Sequence, residues 1–128
     1  MRYLLDTHTF LWMAADPAKL SAKIIRIVQA SDNHLLLSAA SGWEIALLWH
    51  LKRLVLPDQP QRFIPEALQK LSVIPLPIGF DTAISAATLP LVHRDPFDRI
   101  IIAEALKENV AVLTKDRTFA DYGTHILW

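Results

Sequence analysis

Asp95-Pro96-Phe97-Asp98-Arg99-Ile100-Ile101-Ile102-Ala103 opens an unusually apolar helix, and Val110-Ala111-Val112-Leu113 follows it as an apolar, β-branched run. A helix that delivers the chain straight into a buried strand is the repeating unit of an α/β fold with a parallel sheet. Pro96 suits the first helical position, where its missing N–H would have no intrahelical partner. Asp95 then falls at the N-cap. Asp98 lands in the first turn, where the helix dipole favours a negative charge. Read locally, the two acids are caps on a core helix.

The same alternation extends in both directions. Tyr3-Leu4-Leu5 reads as a buried strand that ends at Asp6-Thr7 and enters a helix carrying Phe10, Leu11 and Trp12, ending near Asp16-Pro17. Ser21 caps a second helix with Ile24, Ile25 and Val28 at helical spacing. His34 to Leu37 is the second strand. Ser41-Gly42-Trp43-Glu44 has the form of a capping box and opens a helix reaching about Arg53. Pro57 and Pro60 interrupt the chain before an amphipathic helix from Phe63 to Leu71. Val73-Ile74-Pro75-Leu76-Pro77 fits only a sheet edge, because interior strands do not tolerate proline. Asp81 caps a helix from Thr82 to Leu89, Val110 to Leu113 forms a central strand, and His125-Ile126-Leu127 is the last strand. The pattern predicts a central, mainly parallel sheet of four to five strands covered by helices on both faces.

Composition bounds the function. The 128 residues suffice for one domain, 1–128, with a core drawn from a 52% hydrophobic fraction. Lys+Arg and Asp+Glu are both 13, so any polyanion site has to be a local patch. Cysteine is absent, which excludes disulfides and thiolate metal sites. No apolar run approaches the ~20 residues needed to span a bilayer, and the start lacks a signal pattern. The expectation is a soluble cytoplasmic protein.

Ligands of open parallel sheets bind beyond the carboxyl ends of the strands. Asp6 ends the first strand, Glu44 lies in the helix after the second, Asp98 heads the helix that descends to Val110, and Asp116 follows that strand's carboxyl end. All four converge on one rim. Two unit charges ~4 Å apart repel by ~4 kcal/mol at an effective dielectric of 20, so such a cluster protonates or holds a cation. An all-oxygen donor set suits Mg²⁺ or Mn²⁺, which lowers the pKa of a bound water and stabilises charge on a phosphoryl oxygen. Arg99, Lys115 and Arg117 stand beside the acids and suit a nucleic-acid backbone, and Lys52-Arg53 end the Glu44 helix.

Leu4-Leu5-Asp6-Thr7, Ser41-Gly42-Trp43-Glu44-Ile45-Ala46, Asp95-Pro96-Phe97-Asp98-Arg99 with Ala103 and Ala105, and Thr114-Lys115-Asp116 with Phe119 resemble the PIN domain family, in the toxin-like branch named after VapC. The resemblance spans nearly the whole chain. It implies a three-layer α/β/α fold and a ribonuclease dependent on Mg²⁺ or Mn²⁺. The family's four acidic positions fall on Asp6, Glu44, Asp98 and Asp116, with Asp6, Asp98 and Asp116 as metal ligands, and its site threonine or serine falls on Thr114. It also implies RNA as substrate, a cognate antitoxin, and a homodimer.

Each acid has a bland reading. Asp6 and Asp116 suit helix caps, and Glu44 suits a capping-box partner of Ser41. Convergence at one edge favours the functional reading, since caps have no reason to gather there, and Asp95 is assigned as the cap. For Thr114, Arg99 and Arg117 the expectation is contact with substrate. His8 and His93 lie near the site, with surface or hydrogen-bonded roles expected, and Trp12, Trp43, Trp49 and Trp128 are assigned to core or interface. The competing function is a non-catalytic PIN-like module that binds RNA or protein. Phosphoryl transfer through an aspartyl phosphate is disfavoured, because Asp6 is followed by Thr7 and His8 instead of the Asp-x-Asp pattern that dehalogenase-like enzymes need.

Overall fold

The computed structural model describes all 128 residues, Met1–Trp128. Strand β1 (Arg2–Leu5) leads into α1 (Thr7–Ala15), a 3-10 turn (Pro17–Lys19) and α2 (Ala22–Gln29). Then follow β2 (His34–Ser38), α3 (Ala39–His50), α4 (Pro60–Lys70), β3 (Val73–Leu76), α5 (Phe80–Thr88) and α6 (Pro96–Glu108). Strand β4 (Ala111–Leu113), a 3-10 helix (Arg117–Tyr122) and β5 (Ile126–Leu127) complete the chain. The five strands are parallel, in the order β3-β2-β1-β4-β5. The proline-bearing β3 lies at an edge, as its sequence requires.

Side-chain alternation along the buried strands builds two separate cores. Tyr3, Leu5, Leu35, Leu37 and Leu113 pack with Phe10, Met13, Ile24 and Ile45 on one face. Leu4, Leu36 and Val112 pack with Ile101, Ile102, Ala105 and Phe119 on the other. The result is a three-layer sandwich. At ~1.5–3 kcal/mol per fully buried large apolar side chain, these two clusters supply the main favourable contribution to folding. Residues Ile101, Ile102 and Ala105 are the inward stripe of α6, so the register of that helix on the sheet is set by core packing. Asn109 ends α6 in the left-handed conformation at φ 52°, where its amide bonds Ala105 and the chain turns into β4.

Three local expectations are corrected. The cap of α3 is Ser38, whose Oγ accepts from the Ala40 amide at 3.0 Å, and not Ser41. Ser41 is fully buried inside the helix against Thr7 Oγ1, at 2.8 Å. Pro60 does not interrupt the chain but opens α4, three residues before the expected start. Gly79, and not Asp81, is the N-cap of α5; Asp81 pairs instead with Lys107 at 2.9 Å. Of the tryptophans assigned to core or interface, Trp43 and Trp49 lie outside the core: Trp43 is 60% exposed and meets the edge of Phe97 with ring centroids 5.0 Å apart.

Candidate active site

The strand order reverses direction between β1 and β4, since β1 continues to β2 on one side while β4 lies on the other. Such a switch point opens a crevice at the carboxyl ends of the two strands. Asp6 leaves β1 there and Thr114 leaves β4. The Asp6 amide donates to the Leu113 carbonyl at 3.2 Å, and Thr9 Oγ1 donates to the same carbonyl at 2.7 Å, locking the two strand ends together. Thr114 Oγ1 donates to Asp6 Oδ2 at 2.8 Å and accepts from the Asp116 amide at 3.0 Å.

Beyond this crevice is a cavity of about 320 Å³ lined by Asp6, His8, Trp12, Glu44, Asp95, Asp98, Lys115 and Asp116. Trp12 is its only apolar wall. The structure therefore brings all four acids of the sequence reading into one space. Asp6 occupies the N-cap position of α1 but makes no side-chain cap bond, so its carboxylate serves the cavity and not the helix. Glu44 projects from α3, and its Oε1 is buried without a hydrogen-bond partner. Asp95 does cap α6, accepting from the Phe97 amide at 2.9 Å. Asp116 caps the following 3-10 helix through Thr118, at 2.9 Å to the amide and 2.7 Å to the hydroxyl. A larger cavity of about 610 Å³ lies among residues flanking the amino ends of β1 and β4, but Glu108, paired with Arg2, is its only acid.

The electrostatics match a crowded anion site. Burial, followed by repulsion from Asp95, Asp6, Glu44 and Asp116, pushes the Asp98 carboxyl up to about 8. Burial likewise raises Asp6 and Glu44 above the ordinary carboxylate range. Asp116 differs: burial pushes it up, but hydrogen bonds from Thr118 and His93 outweigh that and hold it low. No lysine or arginine forms an ion pair with Asp6, Glu44, Asp95 or Asp98. A buried carboxylate oxygen without a donor, beside acids with no cationic partner, is a donor set that fits a divalent cation.

Two expectations about substrate contacts do not hold. Arg99 points away from the cavity into the protein. Its guanidinium donates to the carbonyls of Pro90 at 2.9 Å, His93 at 3.0 Å, Ala87 at 3.3 Å and Leu89 at 2.7 Å, and the side chain is buried. Residue 99 lies ~100° around the helix from residue 98, and here that step turns Arg99 toward the 87–93 segment. Thr114 has no exposed surface, and its hydroxyl proton is committed to Asp6. It supports the acids from beneath. Arg117 and Lys115 are exposed, and Lys115 alone of the two lines the cavity. Lys52 and Arg53 follow the far end of the 12-residue α3, ~18 Å of helix away from its amino end.

His93, expected near the site in a surface or hydrogen-bonded role, joins two of its acids: its Nε2 lies 3.0 Å from Asp98 Oδ2 and 3.4 Å from Asp116 Oδ2. It sits on an irregular loop, where no periodicity reports direction; nearness to Asp95 and Asp98 in sequence is the only available signal. Tyr122, which holds the His93 amide through its hydroxyl at 2.6 Å, carries no sequence signal at all.

The comparisons agree with this fold. A family model described as PIN domain matches residues 3–124. The chain is 31% identical to Ribonuclease VapC22 of Mycobacterium tuberculosis (strain ATCC 25618 / H37Rv) over 119 residues, 89% of this chain and 86% of that protein. Ribonuclease VapC16 of the same organism is 38% identical over 52 residues, 41% of this chain and 37% of that protein. Among solved structures, VapBC2 from Rickettsia felis bound to a promoter DNA fragment superposes with a TM-score of 0.72 at 15% identity, covering 99% of this chain and 98% of that one. DNA-bound VapBC from Salmonella typhimurium superposes with a TM-score of 0.69 at 18% identity, covering 99% and 97%. With a match over nearly its full length and the acids gathered at the sheet's switch point, the chain belongs to the PIN domain family, on its VapC-like branch.

Proposed function

We propose that the protein is a metal-dependent endoribonuclease that hydrolyses RNA phosphodiester bonds, and that it is the toxin of a type II toxin-antitoxin pair. The observation that carries the chemistry is the unpartnered, buried Glu44 Oε1 in a cavity shared with Asp6, Asp98 and Asp116. Glu44, Asp6, Asp98 and Asp116 would hold Mg²⁺ or Mn²⁺. Oxygens already accepting one hydrogen bond keep a second lone pair for the ion. When bound, the ion supplies a water of lowered pKa and stabilises charge on a phosphoryl oxygen. Thr114 keeps Asp6 and Asp116 at a fixed separation, and Asp98 releases the proton that its crowded surroundings retain. Lys115 at the rim and Arg117 beyond it attract the RNA backbone.

The name of the VapC22 relative supports the ribonuclease reading, and the VapBC structures support a cognate antitoxin. Exposed Phe80, Ile84 and Leu91 are in keeping with contact to a second protein, including a second copy of this chain. No helix is long and apolar enough to cross a membrane, in keeping with action on cytoplasmic RNA. The test is incubation of a mixed RNA pool with the purified protein and Mn²⁺, with and without EDTA, beside Asp6→Asn and Asp98→Asn. Cleavage that needs the ion and both acids is expected. Cleavage that survives both substitutions overturns the reading.

A further inference from the structure

His93 is held on every polar atom. Its amide donates to Tyr122 Oη at 2.6 Å, and its carbonyl accepts from Arg99 at 3.0 Å. Its Nδ1 accepts from the Asp95 amide at 3.2 Å. An amide N–H can only donate, so the Nδ1 lone pair is occupied and the ring proton is assigned to Nε2. That N–H points between Asp98 Oδ2 and Asp116 Oδ2, at 3.0 Å and 3.4 Å. His93, Asp98 and Asp116 bring three potential ligand atoms within 4.8 Å of one another. A protonated Nε2 nevertheless has no lone pair for a metal ion. The trio is a hydrogen-bonded clasp in which two carboxylates share one donor.

The loop bearing His93 is anchored with the same completeness. Tyr122 Oη donates to the Pro90 carbonyl at 2.8 Å, and the Arg99 guanidinium gathers the carbonyls of Ala87, Leu89, Pro90 and His93. Residues 87–93 therefore have little freedom to move the ring away from the acids. We propose that His93 is a positioning residue of the nuclease site and not a metal ligand: its Nε2–H clasps Asp98 and Asp116 at one mutual geometry, and Arg99 and Tyr122 hold it there. The clasp rests on the nuclease reading for its purpose, but its geometry can be measured without any RNA.

Outer partners that orient metal ligands typically contribute 10–100-fold to metal affinity. His93→Ala should therefore weaken Mn²⁺ binding, measured by calorimetry, about 10–100-fold. His93→Gln, whose amide can donate to both carboxylates, should recover part of that loss. Tyr122→Phe, which removes only the loop anchor, should give a smaller loss and serves if His93→Ala fails to fold. In long-range ¹H–¹⁵N spectra of the wild-type imidazoles, His93 should have a protonated Nε2 and a bare Nδ1, and should keep Nε2 protonated with saturating Mg²⁺. If cleavage is present, kcat should fall in His93→Ala with KM for RNA little changed. Mn²⁺ affinity within about fivefold of wild type in His93→Ala, or in its place no measurable loss in Tyr122→Phe, overturns the clasp. So does an Nε2 that loses its proton when Mg²⁺ binds, which would make His93 a ligand. If no variant and no wild-type protein cuts any RNA while the affinity and tautomer results hold, the nuclease reading fails and the clasp stands.

Discussion

Replacing Asp98 by asparagine should destroy cleavage and yet stabilise the metal-free protein. Burial and four neighbouring carboxylates move the Asp98 carboxyl from 3.8 to about 8, despite one hydrogen bond from His93. The folded state therefore favours the protonated form. Stability associated with this group is fully present below pH ~4 and is lost as pH rises through about 8. At ~1.4 kcal/mol per pH unit, a move from 3.8 to about 8 sets an upper bound of ~6 kcal/mol. The side chain retains 16% exposure beside an open cavity, so solvent screening and relaxation reduce this to roughly 1–3 kcal/mol. For a chain of this length that is a Tm increase of ~4–12 °C. The asparagine side chain carries no charge at any pH and can still accept from His93. Thermal melts in EDTA should thus coincide near pH 4 and separate progressively up to pH 8, with the variant higher. Glu104, buried and pushed up to about 7, makes both proteins less stable as pH rises, and its contribution cancels in the difference. Melts that coincide at pH 8, or an Asp98→Asn variant that is less stable there, would refute the crowded-anion account of the site.

The same reasoning predicts proton release on ion binding. Calorimetry in buffers of different ionisation enthalpy should give up to about one proton released per Mn²⁺ near pH 7, falling away in Asp98→Asn. Arg99→Ala leaves the carbonyls of Ala87, Leu89 and His93 without the guanidinium and Pro90 with Tyr122 alone, so urea unfolding should report a loss of ~3–5 kcal/mol. A loss below ~1 kcal/mol would mean that Arg99 is not a structural hub. Thr114→Val keeps the shape but removes the bond to Asp6, and Mn²⁺ affinity should fall ~10–100-fold with the fold intact by circular dichroism. Lys115→Ala, measured on the inactive Asp98→Asn background, should lower the salt dependence of RNA binding by about one phosphate contact; an unchanged slope would remove Lys115 from the RNA path.

The layers of this fold are legible in the sequence because strand alternation and helix stripes report burial directly. Leu4 and Leu5 face opposite cores, as a period of two requires, and Ile101, Ile102 and Ala105 form one helical face. The acids are legible as a set because topology, and not local propensity, brings them to one edge. Local signals fail where two residues compete for one role. Ser38 and Ser41 both suit a cap, and the choice depends on where β2 stops, which the S-x-x-E pattern does not encode. Trp43 suits core or interface by size, and the choice depends on α3, whose buried face is filled by Ala40, Ser41 and Ile45, leaving Trp43 outside against Phe97. Arg99 suggests a phosphate contact by adjacency to Asp98, although its guanidinium turns to the carbonyls of Ala87, Leu89, Pro90 and His93. Its correct reading needs the loop that wraps over it.

That reversal of Arg99 bears on how the site tolerates its own charge. Asp6, Glu44 and Asp98 are each driven toward protonation, so the metal-free cavity works against the fold that holds it. The opposing contributions lie immediately around it. Two cores fix β1, β4 and α6, and Thr114 ties the two strand ends together. Arg99 donates to the carbonyls of Leu89, Pro90 and His93 in the loop beside it. A cation that simply neutralised Asp98 would make this support unnecessary for stability alone. Its value is geometric: carboxylates kept close against their repulsion form a donor set before an ion arrives, so binding need not reorganise the chain. The arrangement orients Asp98 and Asp116 through one shared donor, the His93 Nε2–H.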